Sequence, residues 1–159
     1  MAIKLKGLST MKQSFFIISV LFFIQCSCEN NSKMDSSVNN IEIAKKSFAA
    51  FNAHNWEKQA TYFSDTCQYL DPSYGDIHVV KSRIEKIEKY RKMEEMSPDI
   101  KDEITSIFGV GDKVVIQFIP SGTAKTEQGD YKWSLPICCV FTFTNGLIIK
   151  DETYYNRGK

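Results

Sequence analysis

Ile41, Ala44, Phe48 and Phe51 stand three or four residues apart, which stacks their side chains on one face of a helix and predicts a first helix over about residues 39–53. Trp56 to Phe63 reads as a second, short helix with Asn55 as its N-cap and Ala60 and Phe63 turned inward. The next segment, Thr66 to Asp71, is extended, because Pro72 keeps the residue before it out of the helical region. A turn around Pro72 to Gly75 follows. A third helix is expected from Val79 to about Met93, with Val80, Ile84 and Ile87 inward.

Beyond Pro98 the period changes from helical to alternating. Ile104–Phe108, Val114–Ile119, Tyr131–Phe143 and Leu147–Tyr155 are rich in β-branched and aromatic residues and are separated by glycine-bearing turns. Asn145-Gly146 between two apolar runs is a strong hairpin signal, since both residues accept positive φ. Helices followed by a four-strand meander are the order of an α+β fold in which a curved sheet wraps a helix.

The chain has 159 residues, enough for one domain plus a leader, and its 43% hydrophobic content with 11 Phe and 7 Tyr can fill a single core. Twenty basic and 19 acidic residues leave a formal net charge of +1, so no electrostatic footprint points to nucleic acid. The basic run from Lys81 to Lys92 is interleaved with Glu85 and Glu88 and followed by Glu94 and Glu95, the pattern of a solvated helix face.

Residues 1–28 are expected to be a signal peptide. Lys4, Lys6 and Lys12 precede an apolar run from Phe15 to Ile24. As a helix that run would rise about 15 Å, half of a bilayer's hydrocarbon core. It ends in Gln25-Cys26-Ser27-Cys28, which resembles the lipobox of bacterial lipoproteins and implies lipidation at Cys28. Residues 29–40 are almost devoid of apolar side chains and are expected to be a flexible tether to a domain over 41–157. Cys67, Cys138 and Cys139 are read as buried free thiols, with one bridge from Cys67 as the alternative in an oxidising compartment, and the separated His54 and His78 form no metal site.

The run Phe48-Ala-Ala-Phe51-Asn-Ala-His54-Asn-Trp56, with Tyr62-Phe63-Ser-Asp65 and Tyr69-Leu-Asp71-Pro72-Ser-Tyr74-Gly75, resembles the SnoaL-like branch of the nuclear transport factor 2-like superfamily. The resemblance spans about residues 39–157 and implies a cone-shaped α+β fold, a curved antiparallel β-sheet wrapped around N-terminal helices. In the related ketosteroid isomerase an Asp in a matching Asp-Pro segment is the general base, which makes Asp71 the first candidate for proton transfer. The other reading of Asp71 is a turn initiator. The isomerase's two oxyanion donors fall at Ser47 and Cys139, neither of which supplies that hydrogen bond well, so steroid isomerisation is not expected. A limonene epoxide hydrolase-like reaction is disfavoured as well, because its last-strand Asp aligns with Thr153.

Alternation along the last strand puts Ile149, Asp151, Thr153 and Tyr155 on one face and Lys150, Glu152 and Tyr154 on the other. If that face looks into the cone, Asp151 and Tyr155 join Asp71 as catalytic candidates. Tyr62, Tyr69, Trp133 and Phe141 are candidate ligand-binding aromatics. No glycine-rich phosphate loop or metal cluster appears, so no cofactor is implied. The expectation is an exported domain, lipid-anchored in a bacterial cell envelope, that binds a small, partly apolar molecule. Whether it performs proton-transfer chemistry of isomerase or cyclase type stays open, and the rival reading is a non-catalytic binding or homodimerisation module using its sheet. Cys28→Ser should move the protein from the membrane to the soluble fraction; release by Cys26→Ser alone would place the lipidation site at the other cysteine.

Overall fold

The computed structural model describes residues 32–156, three helices and a seven-stranded sheet. The expected signal peptide, with Cys28, lies outside the described residues. Helix α1 runs Ser32–Asn52, so it extends through residues 32–40, where the polar composition suggested a tether. Ser37 and Asn40 continue the inward face of Ala44, Ser47, Phe48 and Phe51 and are buried with them. The Asn40 amide donates to the Gly111 carbonyl at 3.3 Å, which gives this polar stretch a packed partner that apolar periodicity does not reveal.

Helix α2 covers Trp56–Ala60 behind its Asn55 cap, β1 covers Phe63–Leu70, and a 3-10 turn occupies Pro72–Tyr74. The next element is a short strand, β2, at Val79–Ser82, and α3 begins only at Arg83 and ends at Met96. The reason is local. Ser82 accepts from the Glu85 backbone while the Glu85 carboxylate accepts from the Ser82 N–H, a capping box that starts the helix at this point. The inward face differs from the expected one: Val80, now in β2, and Ile84 are exposed, at 64% and 68%, and Lys86 is buried at 3%, while Ile87 packs inward as expected. The anticipated solvated face therefore carries the helix's inward contacts as well.

Strands β3 (Lys101–Val110), β4 (Lys113–Thr126), β5 (Gly129–Ser134), β6 (Ile137–Thr144) and β7 (Leu147–Tyr154) complete the sheet. The segment read as one strand over Tyr131–Phe143 is two, broken at Leu135-Pro136. Proline has no N–H for a sheet ladder. Long β4 pairs β6 along its first half and β5 along its second. The path β2-β1-β7-β6-β4-β3 is antiparallel except where β1 runs parallel to β7, so the curved sheet is mixed. Asn145 and Gly146 take φ of 51° and 74°, as their hairpin requires.

The core lies between α1 and the concave sheet face. Phe48 stacks edge-on against Phe118 at 4.9 Å and lies 6.3 Å from Phe141. Phe63, Val114, Ile116 and Ile148 are fully buried around them. Each such side chain contributes about 1.5–3 kcal/mol by leaving water. Cys67 and Cys139 are buried free thiols, as expected, and Cys138 is a half-buried one. A second cluster of Phe51, Trp56 and Ile100 packs under α3. His54, in the left-handed region at φ 53°, reaches Glu94 at 2.9 Å and the Ile100 carbonyl at 2.8 Å, tying the α1–α2 corner to the end of α3.

Candidate functional site

The concave face is not completely filled. Between α1, α3 and the sheet lies a cavity of about 660 Å³ with mostly apolar walls, within the size range of small-molecule sites. Phe48, Phe51, Phe118, Trp133 and Phe141 supply aromatic surface, and Asp71, Asp102, Asp151 and Tyr155 supply polar groups. Of the ligand-binding aromatics expected from sequence, Trp133 and Phe141 line the cavity. Tyr62 and Tyr69 do not: Tyr62 lies at the edge of the core beside Lys58, and buried Tyr69 stacks behind Phe63 at 6.5 Å.

Asp71 terminates β1 and caps the following turn, accepting from the Ser73 N–H at 2.8 Å. Its other oxygen accepts from Lys89 Nζ at 2.7 Å, and Tyr155 OH donates to the capped oxygen at 3.3 Å. Asp71 therefore caps the turn and also lines the cavity. Burial opposes ionisation of this carboxyl, but the Lys89 charge, the Lys89 hydrogen bond and the Ser73 contacts outweigh it and hold the group below its ordinary value. Asp71 is an ionised carboxylate with three donors around it.

Asp151 stands in register between Tyr69 of β1 and Phe141 of β6 and is buried. The face assignment made by alternation holds for Asp151, Thr153 and Tyr155, all three on the cavity wall. Upstream it fails at Ile149, because the β6–β7 register shifts there and Ile148 takes the inward position. Thr153 Oγ1 donates to Asp151 at 2.8 Å. Burial raises the Asp151 carboxyl; the charge of Lys86 and the Thr153 bond oppose this without cancelling it.

Lys86 is the cation that sequence periodicity missed. Its ammonium lies 3.6 Å from the centre of the Phe63 ring, 5.0 Å from Tyr69 and 4.7 Å from Tyr90, and donates to Tyr90 OH at 3.0 Å. Burial pulls it down to about 8 from its ordinary 10.5, against the attraction of Asp151. Asp102 was also missed. Asn52 brackets its backbone, donating to its carbonyl at 2.8 Å and accepting from its N–H at 2.7 Å, which fixes the start of β3 against the end of α1. Burial alone pushes the Asp102 carboxyl up to about 7. Counting back by twos from inward-facing Ile104 would have found it.

Ser47 and Cys139, the positions of the isomerase's oxyanion donors, both line the cavity. Ser47 accepts from Gln59 at 3.3 Å, and burial raises the Cys139 thiol well above its ordinary value, so it stays protonated. Among the described residues no cluster of His, Cys, Asp and Glu could hold a metal ion.

A helix-filled α+β cone with a ligand-sized cavity at its open side is the architecture of nuclear transport factor 2-like domains. The chain belongs to the SnoaL-like domain family, whose model matches residues 44–150. No curated protein matches it. Among solved structures it resembles a Catenulispora acidiphila hypothetical protein with a ketosteroid isomerase-like fold, in complex with trimethylamine, at 21% identity and a TM-score of 0.62, covering 73% of this chain and 86% of that one. A candidate SnoaL-like polyketide cyclase from Jannaschia is 15% identical with a TM-score of 0.64, covering 76% and 87%. An M. tuberculosis LEH-like epoxide hydrolase is 14% identical with a TM-score of 0.63, covering 76% and 85%.

The position of Asp102 has a measurable consequence. Its folded-state value of about 7 lies above the ordinary 3.8, so between these values the folded protein keeps a proton that the unfolded chain has released. Stability contributed by this group therefore falls as pH rises through that window. Asp102→Asn should raise the melting temperature at pH 8 and change it little at pH 4. Equal effects at both pH values would contradict the assignment.

Proposed function

We propose that this domain binds a small, partly apolar molecule in its conical cavity and that Asp71 acts there as a proton acceptor, with Asp151 and Tyr155 orienting the ligand. The observation that carries this reading is a cavity of about 660 Å³ with aromatic walls and carboxylates on its surface. A domain that served only as a packing module would have closed that space with its own Phe and Tyr side chains. Ionised Asp71 is in the form that accepts a proton, and Tyr155 beside it can hand a hydrogen bond to a ligand oxygen. Its low basicity, set by Lys89, limits it to protons already made acidic by a neighbouring carbonyl. Ser47 and Cys139 argue against strong enolate stabilisation. Cyclase-like or isomerase-like proton transfer on an activated substrate fits these groups better than hydrolysis.

We further propose export and lipid anchoring through Cys28 in a bacterial cell envelope, and pairing of two copies through the sheet. The non-catalytic reading differs in one respect: the cavity binds and does nothing further.

The two are separated by hydrogen–deuterium exchange of 2-tetralone, a bicyclic ketone with acidic α-protons, followed by NMR. The proton-acceptor reading predicts that the protein accelerates exchange and that Asp71→Asn removes the acceleration. That variant keeps the Ser73 cap and loses the mostly buried Lys89 ion pair, so its melting temperature, expected to fall, is measured alongside. Binding without accelerated exchange would leave only the non-catalytic module.

A further inference from the structure

The polar groups around the cavity are unequally satisfied. Lys81 pairs with Glu85 at 2.9 Å and Lys89 with Asp71 at 2.7 Å, so two of the three lining lysines already have their anions, and the third, Lys92, is exposed. In the interior, Asp151 has Thr153 at 2.8 Å and the nearby charge of Lys86. Asp102 differs. Among the described residues no hydrogen bond or ion pair reaches its carboxyl, and the titratable groups it faces are the Tyr90 phenol of α3 and the Cys139 thiol of β6, both kept neutral. Nothing cationic offsets it.

A second unsatisfied group lines the same cavity. Gln59 of α2 is 4% exposed and lines the cavity. Its Nε2 donates to Ser47, while its Oε1 is the one buried side-chain nitrogen or oxygen atom without a partner among the described residues. A buried acceptor left unpaired costs about 1–3 kcal/mol. Both unmet groups are therefore acceptors, one of them a potential full negative charge. The adjoining wall is aromatic and thioether surface, with Phe51, Trp133, Met93 and Met96. Aromatic faces around a carboxylate are the environment that stabilises an organic cation.

We propose that the ligand of this cavity is an amphipathic amine, bound as its ammonium ion, with the N–H donors directed to Asp102 and the apolar body against the aromatic wall. This rests on the reading of the cavity as a ligand site and adds the charge of what fills it. The ammonium ion supplies N–H donors, the kind of group both acceptors lack, and its charge favours the ionised form of Asp102. An anionic ligand would meet Asp102 and Asp151 in the interior, and the one lining lysine without an ion pair among the described residues, Lys92, is exposed to solvent.

The test uses three probes of one shape, 2-naphthylmethylamine, 2-naphthylmethanol and 2-naphthoate, titrated calorimetrically into the intact domain at pH 8. The amine should bind at least tenfold tighter than the alcohol, and the carboxylate weakest. Asp102→Asn, which keeps the side-chain shape, should erase the amine's advantage and leave the alcohol's affinity within about twofold. Two results overturn the proposal while leaving the ligand site intact: the alcohol or carboxylate binding as tightly as the amine, or the amine preference surviving in Asp102→Asn. If no probe binds, the ligand-site reading fails and the amine proposal fails with it.

Discussion

The arrangement depends on one buried cation. Lys86 carries its ammonium into a cage of Phe63, Tyr69 and Tyr90, inside the same electrostatic neighbourhood as Asp151. An isolated buried ammonium is costly, and so is an isolated buried carboxylate; together each reduces the desolvation cost of the other. This pair fixes which face of α3 meets the sheet. With Lys86 inward, Lys89 and Tyr90 are carried to the cavity wall, where Lys89 finds Asp71 and Tyr90 packs edge-on against Phe51 at 5.2 Å. Had the apolar Ile84 side faced inward, Asp71 would lose its counter-charge and Asp151 its compensation.

The cavity follows from the same constraint. An α3 bearing Leu or Phe at the inward positions could pack flush on the sheet, but a face of Lys, Tyr and Met, with polar ends that need partners, leaves space over the sheet's concavity. The backbone approaches closely at Gly122: a Cβ there would clash with the Ser97 hydroxyl, and Asp99 accepts from the Thr123 N–H at 2.6 Å and the Thr123 hydroxyl at 2.7 Å. The α3–β3 connection is thereby pinned onto β4. Helix and sheet are held at both ends and remain apart in the middle.

Features governed by local chemistry were legible in the chain. The inward stripe of α1, the Asn55 cap, the Asn145-Gly146 hairpin and the inward turn of Asp151 and Tyr155 each follow from a short-range rule that tertiary contacts did not override. Long-range contacts decided the rest. Helical periodicity counts lysine as polar, so Lys86 was assigned to water, although three aromatic rings and an aspartate distant in sequence make its burial tolerable. The strand break at Pro136 was readable in principle, because proline interrupts a ladder, but which strand each half would join depended on the length of β4. Aromatic type alone does not separate Tyr69 from the cavity wall; the placement of Phe63 and Lys86 puts it behind that wall. Asp102 sits in a charged run, Lys101-Asp-Glu103, whose alternation is visible only after Ile104 is known to face inward.

The most direct test of this account is the ionisation of Lys86 itself, followed by NMR of its labelled side chain as pH is raised. Burial beside Asp151 predicts a titration near 8, well below the ordinary 10.5 of lysine, with slow solvent exchange of the ammonium protons. A Lys86 that titrates at or above 10.5 and exchanges as a surface lysine does would contradict the buried pair, the phase of α3 and the cavity that depends on it.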